Sequence, residues 1–234
     1  ALRNAVQQGQ IPMETIDRAV ARILRVKETL GLEQNTPPTP EAAQRTVTRP
    51  DHWELARQVA AAAVTLVRDE KGWIPLSAGD SLLVIEPEVA ALTPVESRPE
   101  GPAGLAGALH RHFPALTART MKLDPTDAQR AALLAAARSA QTVIVATYRA
   151  WAHPAQAQLV RELLASGRRV IVISLREPYD LAQFPEAPAY VAAYSSTGAA
   201  LLAAADLLAG TIQPQGHLPV RIPGLYPVGH GISR

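Results

Sequence analysis

Apolar residues return along the opening part of the chain with the spacing of a helix. Between residues 12 and 32 they recur every three or four positions, which predicts one amphipathic helix. Pro12 suits its first turn and Gly31 the position just past its end. The apolar stripe has no apolar neighbour in the adjoining sequence, so we expect this helix to be detached from the rest of the chain. The stripe consists of Ile16, Val20, Ile23, Leu24 and Leu30, with Lys27 as a polar exception.

A proline-rich stretch comes next, and it predicts a linker at residues 33–50. Four prolines lie there among Thr, Gln and Asn, a composition that favours an extended, semi-rigid chain. Asp51 and Glu54 then have the spacing of a helix-capping pair, which predicts a helix through Ala63. The chain is therefore expected to divide into residues 1–32, a linker at 33–50, and a domain at 51–234.

From residue 64 onward the pattern alternates between short, continuously apolar runs and longer helical stretches. Apolar strands between helices predict a parallel sheet covered on both faces, and right-handed crossovers make it doubly wound. The fold class expected is therefore α/β, with a mostly parallel sheet sandwiched by helices. The predicted strands are residues 64–68, 82–85, 116–121, 142–147, 170–175 and 190–194, and the predicted helices are 51–63, 101–113, 127–138, 154–165 and 197–209.

Composition removes several classes of function. The chain of 234 residues has no cysteine, which excludes disulfides, thiolate chemistry and cysteine-based zinc sites. Its net charge is only +2, no block of five like charges occurs, and aromatics are 4%, so we expect no nucleic-acid partner. No apolar run is long enough to span a membrane. Cellular location stays open, with the cytoplasm favoured.

Motifs for cofactors and metals are missing as well. Neither a dinucleotide-binding glycine pattern nor a phosphate loop follows any predicted strand. The six histidines form no ligand pair with metal-binding spacing. A nucleophile-elbow motif of the Gly-x-Ser-x-Gly type is also absent. We therefore expect no cofactor and no metal, and no residue is assigned a catalytic role from motifs.

Polar side chains that follow the predicted strands are the remaining candidates, because ligands of such sheets approach the carboxyl ends of the strands. The densest cluster, residues 176–180, supplies Arg176, Glu177, Tyr179 and Asp180. It is either a loop that contacts sugar or another domain, or a turn set by Pro178 in which Asp180 caps a short helix. Two further candidates, Arg149 and His153, follow the strand at 142–147.

Other strand-end residues favour structural interpretations. His153 precedes Pro154 and suits the start of a helix better than a catalytic role. Ser195 and Ser196 suit a cap for the helix from Thr197. Glu86 and Glu88 are expected to be solvated carboxylates on one loop.

Four stretches together resemble glycoside hydrolase family 3. They are residues 5–32, 55–76, 210–220 and 226–233. The first is similar to the last helices of that family's barrel domain, with its Leu30-Gly31-Leu32 ending. The second resembles the entry into its second domain. The other two carry the glycines and prolines typical of that domain's end, although His230 stands where many relatives have an aromatic residue.

The resemblance implies a (β/α)₈ barrel followed by an α/β sandwich, with the nucleophilic aspartate on the barrel. In the β-glucosidase branch, a Glu in a long loop of the second domain is the acid/base. In the β-N-acetylhexosaminidase branch, a barrel His paired with an Asp has this role. The loop at 148–154 is short and has no carboxylate, and residues 176–181 resemble the second branch, although Glu177 replaces a frequent Asn.

These implications give the expected function: a non-catalytic second domain of a retaining β-N-acetylhexosaminidase, with a missing barrel and an amino-sugar glycoside as partners. The sequence begins within a helix pattern at Ala1, which is consistent with a preceding segment. Three alternatives remain. They are a β-glucosidase-type second domain, a stand-alone carbohydrate- or partner-binding module, and a self-sufficient hydrolase using Asp180, His153 and Ser195.

Overall fold

The computed structural model describes residues 1–47, 49–88 and 104–234. The chain forms two compact units, Ala1–Arg49 and Pro50–Arg234. The first unit contains the helices α1 (Leu2–Gln7), α2 (Met13–Thr29) and α3 (Pro40–Val47). The helix predicted at residues 12–32 is present as α2. Its apolar stripe is exposed, with Ile23 at 58% and Leu30 at 64% of full exposure.

The linker is not extended throughout, because α3 occupies residues 40–47 within it. The prediction of an extended chain treats every proline as a helix breaker. Pro40 is instead the first residue of α3, where proline is tolerated because the amide hydrogen it lacks would have no partner in the helix. The Thr39 hydroxyl accepts a hydrogen bond from the Ala42 backbone N–H at 3.2 Å and so caps the first turn.

The second unit alternates strands and helices, as expected. One 3₁₀ helix, Pro178–Gln183, lies between the last two strands. The other elements are α4 (Pro50–Ala63), β1 (Thr65–Asp69), β2 (Leu82–Pro87), α5 (Gly104–Leu109), β3 (Thr117–Met121), α6 (Asp127–Ala137), β4 (Thr142–Thr147), α7 (Pro154–Ala165), β5 (Arg169–Ser174), β6 (Ala189–Ala192) and α8 (Gly198–Ala209). The prediction of a helix at 101–113 is confirmed at 104–109, and residues 101–103 lie outside the described residues.

The strands form one six-stranded sheet in the order β1-β6-β5-β4-β2-β3. All neighbours are parallel except β1, which runs antiparallel to β6. The expected fold class, a mostly parallel α/β sheet between helices, is therefore confirmed. Leaving β2, the chain moves outward to β3, whereas leaving β4 it moves to β5 on the other side. The carboxyl ends of the central strands thus form the edge where such sheets place ligands.

Helices cover both faces of the sheet, and each face has its own apolar core. The core on one face contains residues of α5 and α8, and the core on the other contains residues of α6 and α7. Strands β2, β4 and β6 are buried along their whole length, as expected for central parallel strands. Edge strand β3 is exposed except at Met121. Among the described residues, no helix combines the length and apolar character that crossing a membrane requires.

The final segment, residues 210–234, returns to β1 and lies tightly against it. The Ile232 N–H donates to the Leu66 carbonyl at 2.8 Å. A methyl group on Gly216 would lie 2.4 Å from the carbonyl oxygens of Ala63 and Val64, and one on Gly231 would lie 2.3 Å from the Gly216 carbonyl. Both positions therefore require glycine for close backbone approach. His230 stacks on Tyr226 with ring centroids 4.0 Å apart.

Candidate functional site at the carboxyl edge

Segments that leave β4 and β5 bring most of the predicted site residues together. These strands are adjacent and parallel, with Thr147 beside Ser174 at their ends. The chain leaves β4 through a turn in which the Ala152 N–H donates to the Arg149 carbonyl at 2.8 Å. Arg149 has a φ of 53°, a left-handed conformation that side-chain-bearing residues rarely adopt. The surroundings of this turn therefore hold it in an unfavourable backbone geometry.

Glu177 lies between two arginines of these segments. Its Oε1 is 3.4 Å from Arg176 Nε and 3.9 Å from Arg149 Nε. The three side chains are each about one third exposed, so solvent screens them only in part. The described side chains of this cluster are two guanidinium groups and one carboxylate, which together carry a net positive charge. We call it the arginine cluster.

Aromatic rings flank the arginine cluster. Arg149 Cζ is 4.9 Å from the centre of the Trp151 ring, and Arg176 Cζ is 5.5 Å from that of Tyr148, both within cation–π range. Arg176 also donates a hydrogen bond to the Tyr148 hydroxyl. Trp151 is 47% exposed and Tyr179 is 37% exposed. Exposed aromatic faces beside charged donors give a surface that can bind a polar ligand with apolar faces.

Asp180 is buried beneath this surface. Its side chain has no solvent exposure, and Oδ2 accepts a hydrogen bond from the Thr147 hydroxyl at 2.8 Å. Within the described part of the chain, Oδ1 accepts no hydrogen bond of ordinary geometry. Burial raises the pKa of Asp180 to about 6, and the negative charge of Glu177 also raises it. The Thr147 hydroxyl and the N–H groups of Ala150 and Trp151 act in the opposite direction and lower this pKa.

This burial removes one part of the turn interpretation of residues 176–180, the capping role of Asp180. Pro178 begins the 3₁₀ helix, as the turn interpretation expects, but the helix receives no side-chain cap. Asp180 lies inside the helix and faces the sheet, so it caps nothing. It is also sealed from solvent, so any effect it has on a ligand must pass through the residues it holds. Arg176, Glu177 and Tyr179 remain at the surface.

His153 has the helix-start position expected, as the N-cap residue of α7 with Pro154 directly after it. Its Nδ1 is 2.7 Å from an Asp124 carboxylate oxygen. Nearby, the buried Gln156 accepts from the Tyr148 N–H at 2.7 Å and donates to the Leu123 carbonyl at 3.1 Å. These contacts tie the segment after β4 to the one after β3.

The polar residues at the other strand ends form hydrogen bonds within the fold. The Ser195 hydroxyl accepts from the N–H of Thr197, the N-cap residue of α8, at 3.1 Å, but α8 has no side-chain cap hydrogen bond, so the capping interpretation of Ser195 and Ser196 is not confirmed. For Glu86 the prediction of a solvated loop carboxylate is wrong: it is the fifth residue of β2 and is buried. Its carboxylate accepts from the N–H groups of Leu105 and Ala106, and burial raises its pKa against their opposing effect.

Hydrolytic groups are not assembled at this edge. Asp180, His153 and Ser195 are hydrogen-bonded to three different partners, Thr147, Asp124 and Thr197. Of the two neighbouring carboxylates, Glu177 is engaged by arginines and Asp180 has no access to solvent. Within residues 1–47, 49–88 and 104–234, no three His, Cys, Asp or Glu side chains are grouped to hold a metal ion. The described edge can bind, but it presents no nucleophile–base pair.

The sequence points to the segment around Trp151 but assigns no role to that ring or to Tyr148 and Thr147. The aromatic partners have a weak signal, since both closely follow a predicted strand. Thr147 has none, because its partner Asp180 is 33 positions away.

The sequence of this chain is similar to that of known proteins. The sequence profile described as "Glycosyl hydrolase family 3 C-terminal domain" matches residues 63–227. A Cellulomonas fimi protein, a β-N-acetylglucosaminidase/β-glucosidase, is 40% identical over 76 residues, which are 32% of this chain and 14% of that protein. A probable β-glucosidase L of Emericella nidulans is 37% identical over 90 residues, or 36% of this chain and 12% of its own.

Among solved structures, the fold is similar to a glycoside hydrolase family 3 β-N-acetylglucosaminidase from a Paenibacillus species. The TM-score is 0.77 at 29% identity, and the match covers 91% of this chain and 40% of that one. The chain thus spans well under half the length of these relatives. The activities of these relatives are those of longer proteins.

Proposed function

Because the chain belongs to glycoside hydrolase family 3 and matches its C-terminal domain, we propose that it is the second domain of a retaining enzyme that cleaves terminal β-N-acetylhexosaminides. In this proposal the catalytic groups lie on an N-terminal barrel. The carboxyl edge of the sheet, with the arginine cluster and Trp151, faces the sugar from one side. Residues 1–32 are then the terminal helices of the barrel, and the exposed stripe of α2 packs against the rest of it.

The observation that carries the choice of substrate class is the loop between β4 and α7. It consists of residues 148–153 and contains no carboxylate. A second domain that supplied the acid/base itself would need a Glu or Asp there with access to the glycosidic oxygen. Near this loop, the described residues offer Glu177, which two arginines engage, Asp180, which is sealed, and the exposed Asp124, which pairs with His153. These contacts support an acid/base that comes from the barrel, as in the hexosaminidase branch.

Hydrolysis of chromogenic substrates tests this proposal in two steps. The chain alone should cleave neither an N-acetyl-β-glucosaminide nor a β-glucoside above a blank, since in this proposal the nucleophile lies on the barrel. A longer protein that joins the chain to its barrel should cleave the N-acetylglucosaminide with the higher kcat/KM. Activity of the chain alone would contradict the proposal. A higher kcat/KM for the glucoside would favour a β-glucosidase, which the Emericella nidulans relative supports.

A stand-alone binding module is the second candidate, and the exposed Trp151 and Tyr179 favour it. Calorimetric titration of the chain with chitooligosaccharides distinguishes the two. Heat that saturates at millimolar sugar and is lost in Trp151→Ala, but kept in the matched variant Trp53→Ala, supports binding without the barrel. No heat at millimolar sugar would leave the two-domain enzyme as the function.

A further inference from the structure

Two segments meet at the carboxyl edge, and one buried side chain connects them. The turn after β4 carries Arg149 and Trp151, whereas the segment after β5 carries Arg176 and Glu177. Between them, Asp180 accepts the hydrogen bond of Thr147, the last residue of β4, and lies near the N–H groups of Ala150 and Trp151. Its carboxylate therefore joins the strand end, the turn and the 3₁₀ helix.

The turn needs such a contact. A left-handed φ at a residue with a side chain is sterically unfavourable, so it persists only where the surroundings fix it. Arg149 is such a residue, at φ 53°. The Arg149 carbonyl accepts from Ala152, which closes the turn on the far side. On the near side, the N–H groups of Ala150 and Trp151 lie close enough to the Asp180 carboxylate to lower its pKa, although Oδ1 accepts no hydrogen bond of ordinary geometry among the described residues.

From this geometry we propose that Asp180 is the positioning residue of the sugar-facing surface. Its carboxylate fixes the left-handed turn at Arg149 and thereby sets both the Arg149–Trp151 stack and the approach of Arg149 to Glu177. The role of the surface rests on the proposed function; the positioning itself does not.

The electrostatic surroundings make this positioning depend on protonation. A carboxylate attracts the N–H groups of the turn, whereas the neutral acid attracts them less and can itself donate. The titratable groups that act on Asp180 are Glu177, at the start of the 3₁₀ helix, and Tyr190, on β6, whose own pKa burial raises well above its ordinary range. Because the pKa of Asp180 is about 6, the turn should change near that pH.

Fluorine NMR of 5-fluorotryptophan measures the turn directly. The chain has three tryptophans, and Trp151→Phe assigns the resonance of the turn. That resonance should shift with a midpoint near pH 6 in the unmodified chain, and the shift should be lost in Asp180→Asn. Thr147→Val, which removes the hydroxyl that lowers the pKa of Asp180, should move the midpoint upward.

Two controls make the result specific. His153 is two residues from Trp151 and carries an ionisable side chain, so the shift must survive in His153→Gln. Asp127→Asn removes a carboxylate that is 96% exposed on α6, and it should change nothing. A Trp151 resonance that ignores pH, that keeps its midpoint in Asp180→Asn, or that loses it in His153→Gln overturns the proposal.

A kinetic measurement on the protein with its barrel separates this inference from the proposed function. If both hold, Asp180→Asn raises KM for the N-acetylglucosaminide by about tenfold, as expected for one lost binding contact, and leaves kcat unchanged. If KM is unchanged while the Trp151 resonance responds as described, the turn is positioned by Asp180 but does not face the sugar. In that case Asp180 does position the turn, and the proposal that this surface faces the sugar is wrong.

Discussion

Asp69 and Asp180 are both buried aspartates, and they lie at opposite edges of the same sheet. Asp69 ends β1, beside Ala189 at the start of β6, and so lies at the amino edge of the parallel strands. It accepts hydrogen bonds from the Trp73 and Ile74 N–H groups at 2.8 and 3.2 Å, and from Arg234 at 2.7 Å. Among the described residues, Asp180 at the carboxyl edge has one hydroxyl donor of ordinary geometry and no cation.

The difference in partners separates Asp69, whose charge is compensated, from Asp180, whose charge is not. A buried carboxylate with a cation and several donors has its charge compensated, and removing one partner is costly because the others are left unpaired. A buried carboxylate without a cation is costly to ionise, which its raised pKa expresses. Such groups occur preferentially at functional sites. The amino edge therefore holds the domain together, whereas the carboxyl edge keeps an arrangement that stability alone would not select.

Replacement of Asp69, the well-paired carboxylate, should have the largest effect on stability. Asp69→Ala leaves two backbone N–H groups and Arg234 without their acceptor, so the free energy of unfolding should fall by about 3 to 5 kcal/mol. Urea denaturation at pH 7 measures it. Asp127→Ala, at an exposed site, is the control and should change the value by less than about 0.5 kcal/mol. A similar loss in both variants would contradict the assignment of Asp69 as the central acceptor.

Removing the poorly paired carboxylate should change how stability depends on pH. The folded-state pKa of Asp180 is about 6, above its ordinary 3.8, so the folded chain binds the proton more tightly than the unfolded chain. The resulting stability is fully present below pH 3.8 and is lost as pH rises to about 6. Relative to the unmodified chain, Asp180→Asn should therefore gain about 3 kcal/mol between pH 4 and 7.

The measurement compares urea denaturation of both chains at several pH values. Because other titrating groups, including Glu86, are common to the two chains, their contributions cancel in the difference. A difference that does not vary with pH would show that Asp180 titrates normally.

A smaller effect should follow from the Thr147 hydroxyl. Thr147→Val keeps the side-chain volume but removes the donor to Asp180, which should cost about 1 to 2 kcal/mol at pH 7. The same change should move the pH midpoint of stability upward, because the hydroxyl favours the ionised carboxylate. Asp180→Asn combined with Thr147→Val tests the pairing: if the two effects simply add, the contact is not responsible.

The smallest effect concerns the left-handed turn. Arg149→Gly and Arg149→Ala both remove the guanidinium, but only glycine adopts φ 53° without steric cost. The glycine variant should therefore be more stable than the alanine variant by about 1 kcal/mol. Thermal or urea denaturation of the pair measures this. Equal stability would indicate that the turn relaxes and that nothing holds it.

Much of the sheet can be predicted because its signals are local. Strand β4 is a continuous apolar run, and α7 begins at Pro154 and ends before Gly167, so the predicted bounds of both agree with those observed. The direction of β1 has no such signal, because its partner strand β6 is distant in the sequence. Helix α3 escapes prediction because Pro40 and its neighbours suggest a linker unless Thr39 is recognised as a cap.

The location of the candidate site can be predicted from the sequence, but the burial and contacts of its side chains cannot. Parallel strands bring their carboxyl ends together, so Arg149 and Arg176 can be expected near each other. The burial of Asp180 and Glu86 cannot be expected, since both occupy polar stretches and their donors come from distant segments. Burial of a charged side chain follows from the assembled contacts rather than from neighbours in sequence.

The return of residues 210–234 to β1 has a consequence for how this domain can be shortened. Leu66 and Ile232 are joined by a backbone hydrogen bond although 166 positions separate them, so the domain's first strand and last segment lie side by side. Closing so long a loop is slow, and this contact should form late in folding. Truncation before Ile232 would leave the buried Leu66 carbonyl without this donor, so the domain should tolerate it poorly.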